Sequence, residues 1–418
     1  MRAECTACGA ELKMNERPMR YQCACGGLLR IVHDFSQVDS ERLKRVFDER
    51  RGLRNCLYAS GVWRYKELIA PELPEREAVT RNEGNTGLYE AEPVRQYVGA
   101  IRRLHLKAQS ENPSGSFKDN GMAVAVSHGR WLGYTSFACA STGNTSSSLS
   151  MYAAILGKQS VVLVPGSEVS PNKVLQTVGY GAEVRTFAGT YDDGIRWLRD
   201  HAEEQGCYVC NSINPLRIEG QKSIIFELAH DMNWQLPDWI VLPGGALSNA
   251  AALGQGLSDL YALGFIDKLP RVAVIQAEGA SPFHRMAARG SQQLVPEPKP
   301  STRASALNIG HPPSWPKALR MLEMTSGVTA AVSDAEIMEA KACIDRSGIG
   351  CEPASAAAVS GLRKLVREGI VSRDETAACI LTGSMLKDTD ALREFHLEGK
   401  WRASELASQL MNPIRSLA

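Results

Sequence analysis

Beyond about Leu104 the chain repeats one pattern: a short apolar run rich in β-branched residues, a break at Gly, Ser or Pro, then a helical stretch. The runs are TSFACAS (135–141), SVVLVPG (160–166), EVRTFAG (183–189), DWIVLPGG (238–245), VAVIQAEG (272–279) and ACILTGS (378–384). Alternation of this kind is the pattern of βαβ units, which build parallel sheets. The expectation is an α/β fold with its functional loops at the carboxyl ends of the strands. A length of 418 residues leaves room for two to three domains, and 44% hydrophobic with 22% charged residues is ordinary globular usage. Lys plus Arg (47) nearly cancels Asp plus Glu (46), so the chain carries no overall field for coating nucleic acid or an anionic membrane. The N-terminus MRAECTACGAELK has no apolar core of signal-peptide length, and no segment approaches the ~20 apolar residues of a membrane span; the reading is cytoplasmic. Cysteine usage agrees, because eleven thiols, most in apolar contexts, suit a reducing compartment.

Four of the cysteines fall at the N-terminus as Cys5-x-x-Cys8 and Cys23-x-Cys25, the second pair one residue short of the usual spacing. Thiolates on two tight turns can close a tetrahedron around zinc, so residues 1–34 read as a small ribbon holding a structural metal, or as a hairpin without one. With five Lys/Arg against four Asp/Glu, the ribbon lacks the balance of a phosphate-binding surface. The proline-rich stretch 292–300 (QQLVPEPKP) reads as a surface loop.

The chemistry concentrates in loops that follow strands. NPSGSFKDNG (112–121) places Lys118 at a helix start, where a cation is disfavoured unless it has work to do, such as that of a Schiff-base amine. ASTGNTSSS (140–148) opens a helix with a run of hydroxyls around Gly143 and Asn144, a cradle for a carboxylate or phosphate. LPGGALSN (242–249) leaves a strand through Gly244 and Gly245, which allow close approach of backbone to a phosphate. It matches neither a dinucleotide fingerprint nor a P-loop. ILTGSMLKD (380–388) carries Thr382, a cofactor contact or a helix cap, and NSINPLRIEGQK (211–222) carries Arg217, whose planar fork suits a phosphate or a structural salt bridge. The same alternatives apply to Lys173.

In order along the chain, the ribbon ending CGGLLRIV, SGVWRYKELI (60–69), EGNTGL (83–88), NPSGSFKDNGM, ASTGNTS, NSINPLRIEGQK, RASALNIGHPPSWPKAL (303–319), GIGCEPASAAAVSGL (348–362) and LTGSMLKD resemble threonine synthases. These are pyridoxal-phosphate enzymes of the fold type II, tryptophan-synthase-β-like kind. The resemblance implies two parallel-sheet domains: a small one over 122–235 inserted into a large one made of 35–121 and 236–418. The first 75 residues, ribbon included, would pack on the large domain. It also implies that Lys118 bonds the cofactor and moves protons, that Asn144 meets the ring hydroxyl, and that Ser141, Thr142 and Thr145 bind the substrate carboxylate. Gly245, Ala246, Leu247, Ser248 and Asn249 would hold the cofactor phosphate, and Thr382 the pyridine nitrogen. Asn211, Ser212 and Arg217 would hold the phosphate of O-phospho-L-homoserine. Cys5, Cys8, Cys23 and Cys25 would be the zinc ligands, and a homodimer is the implied assembly.

The chain departs from the family pattern at Asn120, usually Arg; at Ser384 and Met385, usually His-Gly; at Ala246 and Ser248, often Asn and Gly; and at Glu168, often Lys. These changes keep two alternatives open: a paralogue such as a cysteate synthase acting on another phosphorylated amino acid, and a non-catalytic cofactor- or amino-acid-binding protein.

Overall fold

The computed structural model describes residues 1–166, 171–189 and 191–401; Glu168 and the side chain of Lys173 lie outside the described residues. The strands, in chain order, are β1 (Arg2–Cys5), β2 (Glu11–Lys13), β3 (Leu29–Val32), β4 (Leu88–Tyr89), β5 (Arg103–Ala108), β6 (Ser136–Ala140), β7 (Gln159–Pro165), β8 (Glu183–Phe187), β9 (Cys207–Val209), β10 (Trp239–Pro243), β11 (Arg271–Ala277), β12 (Val328–Val332) and β13 (Thr376–Leu381). All six runs singled out in the sequence are strands; β5, β9 and β12 are further members of the same parallel sheets. Among the described residues, no helix is long and apolar enough to cross a membrane.

The chain divides into two compact units. One comprises residues 1–85, 112–227 and 255–267, and the other residues 86–111, 228–254 and the chain from Lys268 onward. The span 122–235 expected for the small domain contains the whole four-stranded sheet of the first unit.

In the first unit the four-stranded sheet runs β8-β7-β6-β9, all parallel. The chain leaves β6, crosses to β7 and β8 on one side, then returns to place β9 on the other, so strand order reverses between β6 and β9. Loops after these two strands therefore part at the carboxyl edge and open a crevice there. A separate antiparallel sheet, β2-β1-β3, forms the N-terminal ribbon. The ribbon segment belongs to this unit. His128 Nε2 lies 2.6 Å from the Met14 carbonyl, the Met19 N–H donates to Tyr134 Oη (3.1 Å), and the Val209 N–H of edge strand β9 donates to Tyr21 Oη (2.7 Å). These bonds tie the ribbon to the residues around the four-stranded sheet. Buried His128 and the outer edge of β9 both need polar partners, and the ribbon supplies them.

In the second unit six strands run β12-β11-β10-β13-β5-β4, parallel except for β4. β10 is buried along its whole length, as its WIVLP sequence requires of a central strand covered on both faces. The alanine-rich helix Pro353–Arg367 lies on this sheet, and Gly361 lets it settle against Ile275 where any side chain would collide. Strand order reverses between β10 and β13, which again places two loops, Gly244–Asn249 and Thr382–Ser384, at one crevice. The proline-rich stretch 292–300 has no regular structure and is largely exposed.

Candidate active site

Lys118 is the first residue of the helix Lys118–Trp131, half-buried, with its ammonium 4.0 Å from the Phe117 ring centroid. The turn that presents it is fixed by Asp119, which accepts hydrogen bonds from the Ser114 N–H (2.7 Å), Ser114 Oγ (2.6 Å) and Ser148 Oγ (2.5 Å). Burial pushes the Asp119 carboxyl up to about 6 in spite of those donors. Gly115 takes φ +85°, a conformation open to glycine, and the Gly84 N–H donates to Asn112 Oδ1 (2.9 Å) at the start of the loop. Ser116, two residues before Lys118, is fully buried, and its Oγ has no hydrogen-bond partner among the described residues.

Ser141–Asn144 follow β6 and open the helix Asn144–Ile155. Ser141, Thr142, Asn144 and Thr145 are half-exposed at its start, the positive end of the helix dipole, which favours an anion. The later hydroxyls have structural duties. Ser146 Oγ donates to the Gly143 carbonyl (2.8 Å), Ser148 Oγ to Asp119, and Ser150 Oγ to the Ser146 carbonyl (2.8 Å). The loop after β9 is stitched to this one by Asn211, whose amide both accepts from the Ala140 N–H (3.0 Å) and donates to the Ala140 carbonyl (2.9 Å). Asn211 thus sets the spacing of the two loops. Beside it, buried Ser212 keeps an Oγ without a hydrogen-bond partner among the described residues. Arg217, 1% exposed, lies on the helix Pro215–Gln221 and donates from Nη1 to the Cys210 carbonyl (3.0 Å). This helix meets the Lys118 helix backbone to backbone: a Cβ on Gly121 would lie 2.6 Å from the Arg217 carbonyl, and one on Gly220 would strike the Asn120 carbonyl. Lys118, the hydroxyl loop and Arg217 are therefore assembled within one unit. Asn120 belongs to this seam and donates to Ser223 Oγ (2.8 Å).

The second unit brings together the other predicted residues. Gly244 donates its N–H to the Ile275 carbonyl (2.7 Å), and its own carbonyl accepts from Gln276 Nε2 (2.9 Å). A Cβ on Gly245 would lie 2.6 Å from the Ala306 carbonyl, and Leu247 is held at φ +63°. Ala246 accepts from the Ser314 N–H (3.3 Å), so the 303–319 segment wraps the outside of this loop. The loop runs into the helix Ser248–Ala262, and at its start Asn249 Nδ2 is buried with no hydrogen-bond partner among the described residues. A glycine cradle, a helix start and an orphaned amide together fit a phosphate monoester.

Thr382, 4% exposed, shares a 2.9 Å hydrogen bond with Ser355 Oγ and lies 3.3 Å from Glu352 Oε1. Ser355 Oγ also accepts from the Thr382 and Gly383 N–H groups (2.8 and 2.9 Å). Gly383 lets the Glu352 carboxyl come close, since a Cβ there would lie 2.5 Å from it and the glutamate would have to shift. Ser355 and Glu352, like Asp119, escape a reading of single residues; their signal is the EPAS segment at a helix start. Ser384 and Met385, which depart from the family pattern, have local structural roles. Ser384 Oγ caps the short turn Met385–Lys387, and Met385 packs on Gly350, which takes φ +70°.

At the ribbon, Cys5, Cys8, Cys23 and Cys25 place their sulfurs within 4.8 Å of one another. Cys5 and Cys25 are 3.5 Å apart, Cys8 and Cys23 3.6 Å, and Cys8 and Cys25 3.4 Å. A tetrahedral zinc with bonds of about 2.3 Å sets its sulfurs about 3.8 Å apart, so the donor set fits. The Cys8 and Ala7 backbone N–H groups help hold the Cys5 thiol down at about 6. Cys25 receives the Gly27 N–H, yet its neighbouring sulfurs push it up to about 12.

Residues 79–383 match the family described as pyridoxal-phosphate dependent enzyme. The chain is 41% identical to a threonine synthase of Methanocaldococcus jannaschii over 392 residues, 94% of each chain. It is 42% identical to that of Methanosarcina acetivorans over 389 residues, 92% of each. Among solved structures, threonine synthase from Escherichia coli superposes with a TM-score of 0.71 over 94% of this chain and 90% of that one, at 17% identity, a likeness of fold. Matched over nearly its whole length by these relatives and over most of it by the family profile, the chain belongs to the threonine synthase family of pyridoxal-phosphate dependent enzymes.

Proposed function

We infer that this protein converts O-phospho-L-homoserine and water to L-threonine and inorganic phosphate. What carries the reading is that two separate sets of residues each suit a phosphate. The glycine cradle at Gly245–Asn249 suits the cofactor's phosphate, and Arg217 with Ser212 forms another in the unit that holds Lys118. A cofactor and a substrate that each carry a phosphate need both.

Lys118 would anchor the cofactor covalently and, with substrate in its place, its amine would take a proton from the α carbon and then one from the β carbon before phosphate leaves the γ carbon, and would return protons at the γ and α carbons. Pyridoxal phosphate, when bound, supplies a conjugated ring that delocalises the electron pair left at the α carbon. Asn144 orients the ring through its hydroxyl, and Ser141, Thr142 and Thr145 receive the substrate carboxylate at a helix start. Asn211 positions these loops, while Ser212 and Arg217 hold the substrate's γ-phosphate in place. Thr382, steadied by Ser355, offers the ring nitrogen a neutral hydroxyl and so moderates its pull on electrons. Water then adds at the β carbon. The local roles of Ser384 and Met385 account for them without a change of substrate, which favours this reading over a paralogue.

The reading includes a structural zinc on the four ribbon cysteines, a cytoplasmic location and a homodimer, the last checked by sedimentation velocity. The decisive experiment gives pyridoxal-phosphate-loaded protein O-phospho-L-homoserine and follows phosphate and threonine together, with Lys118→Ala as control. Equal amounts of both, lost in the control, are expected. Phosphate without threonine would remove water as the nucleophile, and neither product from a loaded enzyme would overturn the substrate.

A further inference from the structure

The seven-residue helix Pro215–Gln221 is too short to fix an arginine by its own stability. Its backbone seam against the Lys118 helix restrains one side. A second restraint comes from a polar cluster centred on His33, the residue that follows ribbon strand β3. His33 has a side chain 2% exposed; its Nε2 lies 2.9 Å from Glu219 Oε2 and its Nδ1 lies 3.1 Å from Glu72 Oε2. Glu219 stands two residues beyond Arg217. Its Oε2 also lies 2.6 Å from Lys222 Nζ, which in turn reaches Asp259 Oδ2 (2.8 Å) and the Leu68 carbonyl (3.0 Å). Gln255 Nε2 completes Asp259 with a 2.8 Å bond. Three carboxylates thus face one ammonium and one imidazole, and although burial works against its charge, the Glu219 and Glu72 carboxylates keep His33 more basic than usual. None of these groups belongs to the cofactor or substrate contacts derived above.

We propose that His33 is a positioning residue for substrate-phosphate binding: by gripping Glu219 it fixes the helix that carries Arg217, and so makes the cysteine ribbon part of the phosphate site. This rests on the reading of Arg217 given above. A displacement of about 1 Å in a binding group is enough to weaken its interaction substantially. Losing ground-state phosphate binding raises KM and leaves kcat in place.

The test uses holoenzyme carrying His33→Ala, with Arg217→Ala beside it. His33→Ala is expected to raise KM for O-phospho-L-homoserine by about tenfold with kcat nearly unchanged. By calorimetry, the affinity of the holoenzyme for inorganic phosphate should fall by the same factor, while the cofactor's visible spectrum stays as in the parent. A cavity of ≈ 140 Å³ lined by Arg30, Val32, His33, Lys222, Gln255 and Asp259 adjoins the deleted side chain, so added imidazole should restore phosphate affinity. His33→Gln, which keeps a single donor, should fall between. If Arg217→Ala weakens phosphate binding and neither His33 variant does, the positioning role is overturned. If the His33 variants lose cofactor and kcat along with KM, His33 is merely structural and the proposal fails. If Arg217→Ala itself leaves phosphate affinity unmoved, it is the assignment of Arg217 that falls.

Discussion

Ser148 donates a 2.5 Å hydrogen bond to Asp119, joining the second turn of the hydroxyl-rich helix to the residue that follows Lys118. The Lys118 turn and the start of the hydroxyl-rich helix are therefore registered to each other through a buried carboxylate.

That carboxylate has a pH signature. Its folded pKa, about 6, lies above its ordinary 3.8, so between those values the native state keeps a proton that the unfolded chain has released. Its contribution to stability falls as pH rises through that window and is level above it. Asp119→Asn abolishes this slope, so from pH 4 to pH 7 the variant should gain on the parent by up to about 3 kcal/mol. Denaturant melts across the pH series measure it, and a difference independent of pH would show that burial has not shifted Asp119.

Gly245→Ala forces a methyl to within 2.6 Å of the Ala306 carbonyl, a backbone atom that cannot turn aside. The cradle must open, and affinity for pyridoxal phosphate should weaken by about tenfold or more, worth about 1.4 kcal/mol. Spectroscopic titration of the apoenzyme reads this directly. Gly179→Ala is the control, because a Cβ there meets nothing within 4 Å.

Thr382→Val leaves the side chain's shape but takes a partner from buried Ser355, costing about 1 kcal/mol of stability. It also strips the ring nitrogen of its hydroxyl, for which a loss of about a hundredfold in kcat is expected. Thr382→Ser should recover most of both. Equal activity in the Val and Ser variants would remove Thr382 from the cofactor's environment.

The ribbon should hold one zinc per chain, detected by elemental analysis of protein purified without added metal. Cys8→Ser, an exposed ligand, should lose the metal and lower the melting temperature without altering the cofactor's spectrum. Metal-free wild-type protein with an unchanged melting temperature would argue for the hairpin alone.

Six strands are legible because each carries an apolar run broken by glycine, serine or proline. Shorter or less apolar strands such as β9, only CYV, carry too little pattern to stand out. The serine run misled in part: Ser146 and Ser148 serve a carbonyl and Asp119, and no local rule tells a hydroxyl facing ligand from one spent on packing. Asn211 is bonded through its amide to Ala140, a partner 71 positions away that no local pattern reveals. Asp119, Ser355 and His33 were missed for the same reason, their meaning lying in partners remote in sequence.

Tyr21 Oη takes up the N–H of Val209 at the outer rim of the four-stranded sheet. An uncovered rim of this kind is a template on which a second chain can zip. The N-terminal segment is thus also a stopper, occupying an edge amide that would otherwise be open to another chain.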